Sequence, residues 1–154
     1  MYKPKTQTGL KKIIYNRTSV NEQILTSTYT ALTGTTVAYT PASNADHVIY
    51  EYRIMAHNDP DTTYTSGFLE LQEEISGTWT SLFENGNSGY QVWEQHTYTR
   101  YQNIWEGRFV IPAYSGSKSF RLGCYSTDSQ ESTVHSTEDS QVVHPEISIY
   151  SVIN

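Results

Sequence analysis

The sequence is poor in features that define several common classes of protein. It contains one cysteine, Cys124, so no disulfide can form within the chain. A single cysteine disfavours a small secreted module held together by disulfides and favours assembly in a reducing cytoplasm. The longest apolar runs are three or four residues, as at 109–112, which is too short for a membrane span. The basic N-terminus is followed by no apolar segment, so we expect no secretory signal.

Helix-forming residues are also scarce, whereas hydroxyl-bearing residues are abundant. The 154 residues include 20 Thr, 17 Ser and 13 Tyr, and charged residues are only 17% of the chain. Thr and Tyr favour the pleated, half-buried surface of a β-sheet, whereas Ala, Glu and Lys favour helices. This composition disfavours a helical bundle, a coiled coil and a doubly wound α/β enzyme.

Alternation with a period of two runs through most of the chain. In residues 46–57, Val48, Tyr50 and Tyr52 share one face, and the other face carries Ile49, Glu51, Arg53, Met55 and His57. Residues 68–75 and 104–111 alternate similarly. Turn signals recur every 8–12 residues, so the pattern predicts an all-β jelly-roll β-sandwich of about eight to ten antiparallel strands. The polar segment 127–141 is predicted to be the longest loop.

The charge of the chain is unevenly distributed. Half of its ten basic residues precede residue 18, where no acid occurs, while all sixteen acids lie from Glu22 onward. We therefore predict a basic N-terminal arm at 1–20, with 12–15 as a possible first irregular strand, and a sandwich domain at 21–154. An acidic body of this kind is not expected to bind nucleic acid.

The sequence shows no convincing catalytic or metal-binding motif. The histidines have no zinc-like spacing, and we expect them at strand edges or in loops; they are His47, His57, His96, His135 and His144. Three nearby acids, with Glu70 and Glu74 on one strand face and Glu73 on the other, are expected to be solvated rather than to form a catalytic pair. A nucleophile elbow, a phosphate-binding loop and a dinucleotide-binding turn are absent. We expect no enzyme, no metal and no cofactor.

Four aromatic residues late in the chain have two interpretations. They are Trp93, Tyr98, Tyr101 and Trp105. Flat rings could form a platform that stacks on sugars. The alternative is burial, either inside the sandwich or at a subunit interface, for which tyrosine is well suited. We favour a subunit interface over a glycan site.

The chain resembles the compact jelly rolls of the C1q and tumour-necrosis-factor type, and more closely small virion proteins of tailed bacteriophages that use such a sandwich. The resemblance rests on the basic arm, the Tyr- and Thr-rich body, the run at 107–112 followed by 119–122, and the closing strand at 145–150.

This resemblance implies a homotrimer that acts as a non-enzymatic capsid decoration (cement) protein. Such a protein would bind the major capsid protein or another virion protein on the outer shell and stabilise the shell, after assembly in the host cytoplasm. The arm would then dock on the shell through its five basic residues, Lys3, Lys5, Lys11, Lys12 and Arg17. The alternatives are a tail-fibre or receptor-binding head and a carbohydrate-binding module for a host-surface glycan; neither a membrane nor a nucleic acid is expected as a partner.

Overall fold

A computed structural model describes residues 13–15, 20–58, 65–82, 90–95, 101–126, 132–137 and 141–153. The described residues form twelve strands, and no helix occurs among them. The strands are β1 (Ile13–Tyr15), β2 (Gln23–Ile24), β3 (Thr30–Ala31), β4 (Val37–Tyr39), β5 (His47–Asn58), β6 (Thr65–Ile75), β7 (Thr78–Ser81), β8 (Tyr90–Gln95), β9 (Tyr101–Pro112), β10 (Lys118–Ser126), β11 (Ser132–Val134) and β12 (Glu146–Val152).

The strands form two antiparallel sheets in which the strands are arranged in a similar way. In the first sheet, sheet A, β5 pairs with β9 along one side and with β12 and then β11 along the other, while β1 and β2 pair with β12 and β11. In the second, sheet B, β10 lies between β6 and the short strands β3 and β4, and β7 and β8 pair with the far side of β6. Two strands that pair with different parts of the same neighbouring strand occupy one position in the sheet, as β11 and β12 do beside β5, and β1 and β2 share the next position beyond them. Counted in this way, each sheet has four strand positions, and the twelve strands fill eight positions in all.

This architecture confirms the predicted all-β jelly-roll sandwich. The strands from β5 to β10 pass repeatedly from one sheet to the other, as a jelly roll requires. The short strands β2 and β3 have only two residues each and carry no readable alternation. β1 lies within the segment assigned to the arm and pairs with β12.

The alternation seen in the sequence separates the core from the surface. On β5, Val48, Tyr50 and Ile54 are at most 1% exposed and belong to one core cluster between the sheets. Sheet B contributes Leu71 from β6 and Leu122 from β10 to the same cluster, both fully buried. Side chains on one face of a strand recur every second residue, so two alternating sheets can close on a shared core.

Hydroxyl groups inside the sandwich are paired with backbone and with one another. The buried Tyr50 hydroxyl donates to the carbonyl oxygen of Thr35 at 2.6 Å. The Thr35 hydroxyl donates to the Leu32 carbonyl at 2.7 Å and accepts from the Leu122 amide at 3.1 Å. Buried polar groups are tolerated when they are hydrogen-bonded, which explains how a core so rich in Tyr and Thr is stable.

Two expectations about polar segments were wrong. The segment predicted as the longest loop contains β11, and Ser132, His135 and Ser136 are at most 1% exposed. The segment pairs with β5 and β2, and its single apolar residue, Val134, belongs to the core cluster. Its hydroxyls are hydrogen-bonded, Ser132 to Ser126 of β10 and Thr133 to His57 of β5. Glu70 and Glu73 are each 7% exposed rather than solvated, since each has a partner: Gln72 donates to Glu70, and Lys118 lies 2.6 Å from Glu73.

We expect Tyr50→Phe to lower the free energy of unfolding by about 1–3 kcal/mol, because the buried Thr35 carbonyl loses its donor. The matched control is Tyr150→Phe, whose hydroxyl donates to Glu51 on a partly exposed face where water can replace it, and it should cost about 1 kcal/mol or less. Urea unfolding at one protein concentration measures both. Equal losses in the two variants would show that the Thr35 contact contributes nothing specific.

Candidate interaction surface

The face of sheet A that points away from the core carries rows of alternating charge. Across β12, β5 and β9, Arg53 is the register partner of both Glu146 and Glu106. In the next row on this face, Glu51 lies between Ser148 and Arg108. These are the outward positions of three neighbouring strands, because side chains two residues apart share a face.

These side chains line a shallow, open groove of about 470 Å³. Arg53 Nε lies 3.8 Å from Glu106 Oε2, and Arg53 Nη1 lies 3.9 Å from Glu146 Oε1. The Arg53 side chain is 51% exposed, and exposed pairs at such distances contribute about 1 kcal/mol or less to folding. The charges of the groove are therefore available to a partner at little cost to the fold.

One acid of the groove is held in place by a tyrosine of β12. The Tyr150 hydroxyl donates to Glu51 Oε1 at 2.7 Å. Burial raises the pKa of Tyr150, and the contact with Glu51 raises it further, so the hydroxyl stays protonated and keeps donating. This bond restricts the carboxylate that stands opposite Arg108.

Exposed branched side chains on β9 flank the charged rows. Ile104 is 40% exposed and Val110 is 56% exposed, on the same outward face as Glu106 and Arg108. A smaller hollow of about 70 Å³ adjoins the groove and is lined by Ile104 and Val143 together with Arg53 and Glu146. Apolar side chains beside paired charges are typical of a surface that contacts another protein. We call this surface the sheet-A face: Glu51, Arg53, Ile104, Glu106, Arg108, Val110, Glu146 and Ser148.

A buried histidine lies on the continuation of β11, next to this surface. His135 is fully buried and has a φ of +66°, and its carbonyl accepts from the Val143 amide at 2.8 Å. Burial lowers the pKa of His135 to about 4, and the neighbouring His144 acts in the same direction. His57 contacts the hydroxyls of Thr133 and Ser136 instead. His135 lies in a bend that directly follows β11, in line with the expectation of a strand-edge or loop position, but it is fully buried.

No group of three or more His, Cys, Asp or Glu side chains is arranged to hold a metal ion in the part of the chain that the structure describes. Across the same part, no helix is long and apolar enough to cross a membrane.

The candidate residues from the sequence are dispersed or lie outside the described residues. All five basic residues of the arm fall outside them, as does Tyr98. Trp93 lies on β8 of sheet B, whereas Tyr101 and Trp105 lie on β9 of sheet A, so the four aromatics do not share one sheet. Trp105 is 2% exposed and belongs to the core cluster, which matches the alternative of burial inside the sandwich. In the described structure it presents no face to a sugar or a second subunit.

In the sequence, the charged residues of the sheet-A face could be recognised only as the polar positions of strands in which polar and apolar residues alternate. Glu51 and Arg53 stand between inward-facing residues of β5, as Glu106 and Arg108 do on β9. What the sequence lacked was the register that places Arg53 beside Glu106 and Glu146. Residues so far apart in the chain meet only after the strands pair.

Comparison with known proteins gives a likeness of fold. A scan against protein families finds no match, and no curated protein sequence matches the chain. Among solved structures, the chain is similar to the Eiger tumour necrosis factor of S. frugiperda at 11% identity, covering 82% of this chain and 90% of that one with a TM-score of 0.33. At this identity and score, the likeness carries no argument about activity or partners.

We expect the protein to lose stability as the pH falls from about 6.5 to 4, because of His135. Its folded pKa of about 4 lies below the ordinary value of 6.5, so in this window the unfolded chain takes up a proton that the folded chain excludes. The stabilisation is complete above about pH 6.5 and amounts to about 3 kcal/mol.

Urea unfolding at pH 7 and pH 4 measures this loss. Acidic residues also titrate near pH 4, so the comparison is with His135→Asn, which cannot titrate and suits a positive φ. Between pH 7 and pH 4, the free energy of unfolding of His135→Asn should fall by about 3 kcal/mol less than that of the wild type. Equal pH dependence in the wild type and His135→Asn would contradict the assignment.

Proposed function

We propose that this protein is a non-enzymatic structural protein of a virion, a homotrimer that decorates the outer surface of a capsid and stabilises the shell. The observation that carries the proposal is the sheet-A face, where alternating charges and exposed apolar residues lie together on three neighbouring strands. The resemblance of the sequence to small virion proteins of tailed bacteriophages supports the trimer and the virion as its location.

The sheet-A face suits a second copy of the same chain because it carries both signs of charge. Its outward groups include Arg53 and Arg108 among three glutamates, so a rotated copy can place an arginine against a glutamate. Such complementarity fixes the orientation of an interface more than it adds affinity. The affinity would come from Ile104 and Val110, whose exposed apolar area is removed from water on contact.

The basic arm supplies a second contact with a different partner. Its five basic residues contrast with a body that holds all sixteen acids. An acidic patch on the major capsid protein is the surface that such an arm would recognise. Three arms on one trimer bind together, so individually weak contacts give strong attachment. A ligand that binds only the assembled shell stabilises it against separation of its subunits.

We expect the variant Lys3→Gln, Lys5→Gln, Lys11→Gln, Lys12→Gln to lose binding to the shell while it stays folded. These changes remove charge but keep the backbone of β1, which pairs with β12. Co-sedimentation of the purified protein with empty shells, assembled from the major capsid protein of the same phage, measures binding. The occupancy should fall at least tenfold.

The matched control replaces the same four lysines with arginine and keeps the charge, so it should bind like the wild type. Binding of both proteins should weaken as salt rises, because the contact is between charges. Undiminished binding by the glutamine variant would remove the arm from the mechanism. Failure of the wild type to bind the shell at all would overturn the proposed function.

A further inference from the structure

The outward face of sheet B carries an ordered band of aromatic and polar side chains. The band starts at Trp79 on β7, crosses Gln72 and Glu70 on β6 and Arg121 on β10, and ends at three rings. We call it the sheet-B band: Tyr29, Phe68, Glu70, Gln72, Trp79, Arg121 and Tyr125. It lies on the opposite side of the sandwich from the sheet-A face.

Arg121 is held in a fixed orientation. Its Nε donates to Gln72 Oε1 at 2.7 Å, and its guanidinium carbon lies 4.2 Å from the centroid of the Trp79 ring. In the described residues, its two Nη nitrogens make no hydrogen bond to the protein. A guanidinium fixed at Nε and stacked on a ring presents a fork of donors to the solvent.

Glu70 is fixed by the same network. Gln72 Nε2 donates to Glu70 Oε1, and the two residues are only 8% and 7% exposed. They lie close to the sheet because residue 123 is glycine: a Cβ there would come within 2.9 Å of Gln72 Nε2 and 3.3 Å of Glu70 Cγ. A carboxylate and a guanidinium are thus joined through one amide.

Three rings form the other end of the band. Phe68 and Tyr125 stack with centroids 4.8 Å apart and planes 8° from parallel. Tyr29 meets Tyr125 edge-on at 4.7 Å and is 37% exposed. The row of Phe68 and Tyr125 lies four residues along the strands from the row of Gln72 and Arg121, which is about 13 Å.

The charge of the band limits the kind of ligand that it can take. Glu70 and Arg121 of the band, together with Glu74 beside it on β6, carry a net charge of −1. Burial lowers the pKa of Arg121, and the two glutamates oppose this shift. Such a surface repels polyanions such as nucleic acid or sulfated chains. Rings, a carboxylate and a guanidinium together suit a ligand with apolar C–H faces and many hydroxyl groups.

We propose that the sheet-B band binds an uncharged oligosaccharide. A sugar ring packs against Tyr29, the exposed ring of the band, and sugar hydroxyls donate to Glu70 and accept from the Nη nitrogens of Arg121. The spacing of about 13 Å between the two rows requires a chain of sugars rather than one. This inference is independent of the virion role, because it uses the other sheet.

A printed array of defined neutral and acidic oligosaccharides tests the proposal, with titration calorimetry on the oligosaccharide that binds most strongly. Arg121→Gln should weaken binding at least tenfold. The control is Ile75→Gln, which changes an exposed residue of β6 outside the band and should bind within twofold of the wild type.

Tyr29→Ala provides a second variant that does not disturb the polar network, and it should also weaken binding severalfold. Thermal unfolding checks that each variant is folded; if Arg121→Gln is not, Tyr29→Ala decides. The proposal is overturned if the wild type binds no neutral oligosaccharide, if it binds acidic ones only, or if the folded variants bind as the wild type does. Shell binding by the same proteins tests the virion role separately.

Discussion

The structure depends on the pairing of β5 along its whole length. All twelve of its residues pair with β9 on one side, and β12 and then β11 continue the sheet on the other. Every inward position from Val48 to Ala56 is buried, so a shift of one residue would turn this whole row to solvent. The register of β5 is thus fixed by burial, and that register in turn sets which charges meet on the outside.

Both candidate surfaces follow from this constraint and from the equivalent pairing of β6 with β10. The inward side of each strand has one requirement, an apolar or hydrogen-bonded side chain, which leaves the outward side free for function. On sheet A the outward side carries charges with exposed Ile104 and Val110; on sheet B it carries a fixed arginine, a carboxylate and rings. We propose one surface for copies of the chain and the other for a sugar, so that a single small sandwich could join a shell and a glycan.

Local alternation was enough to predict the fold class. A strand that is buried on one face has an apolar residue at every second position, as at Val48, Tyr50 and Tyr52, and this pattern can be recognised in the sequence. The polar strand β11 was missed, since Ser132 and Thr133 are satisfied by hydrogen bonds rather than by apolar contacts. Trp105 was grouped with Trp93 by proximity in sequence, but they lie on different sheets. The candidate surfaces could not be foreseen because they depend on register between distant strands. Arg121 and Gln72, for example, meet only when β10 pairs with β6.

Sedimentation equilibrium at micromolar concentration tests the central claim that the sheet-A face joins copies of the chain. The account predicts a mass of three times 17.6 kDa for the wild type. It predicts a lower mass for Ile104→Asp, which places a charge on that face, and an unchanged mass for Ile75→Asp, the same substitution at a residue of sheet B that is 53% exposed. A wild-type mass of a single chain, or equal behaviour of the two variants, would contradict it.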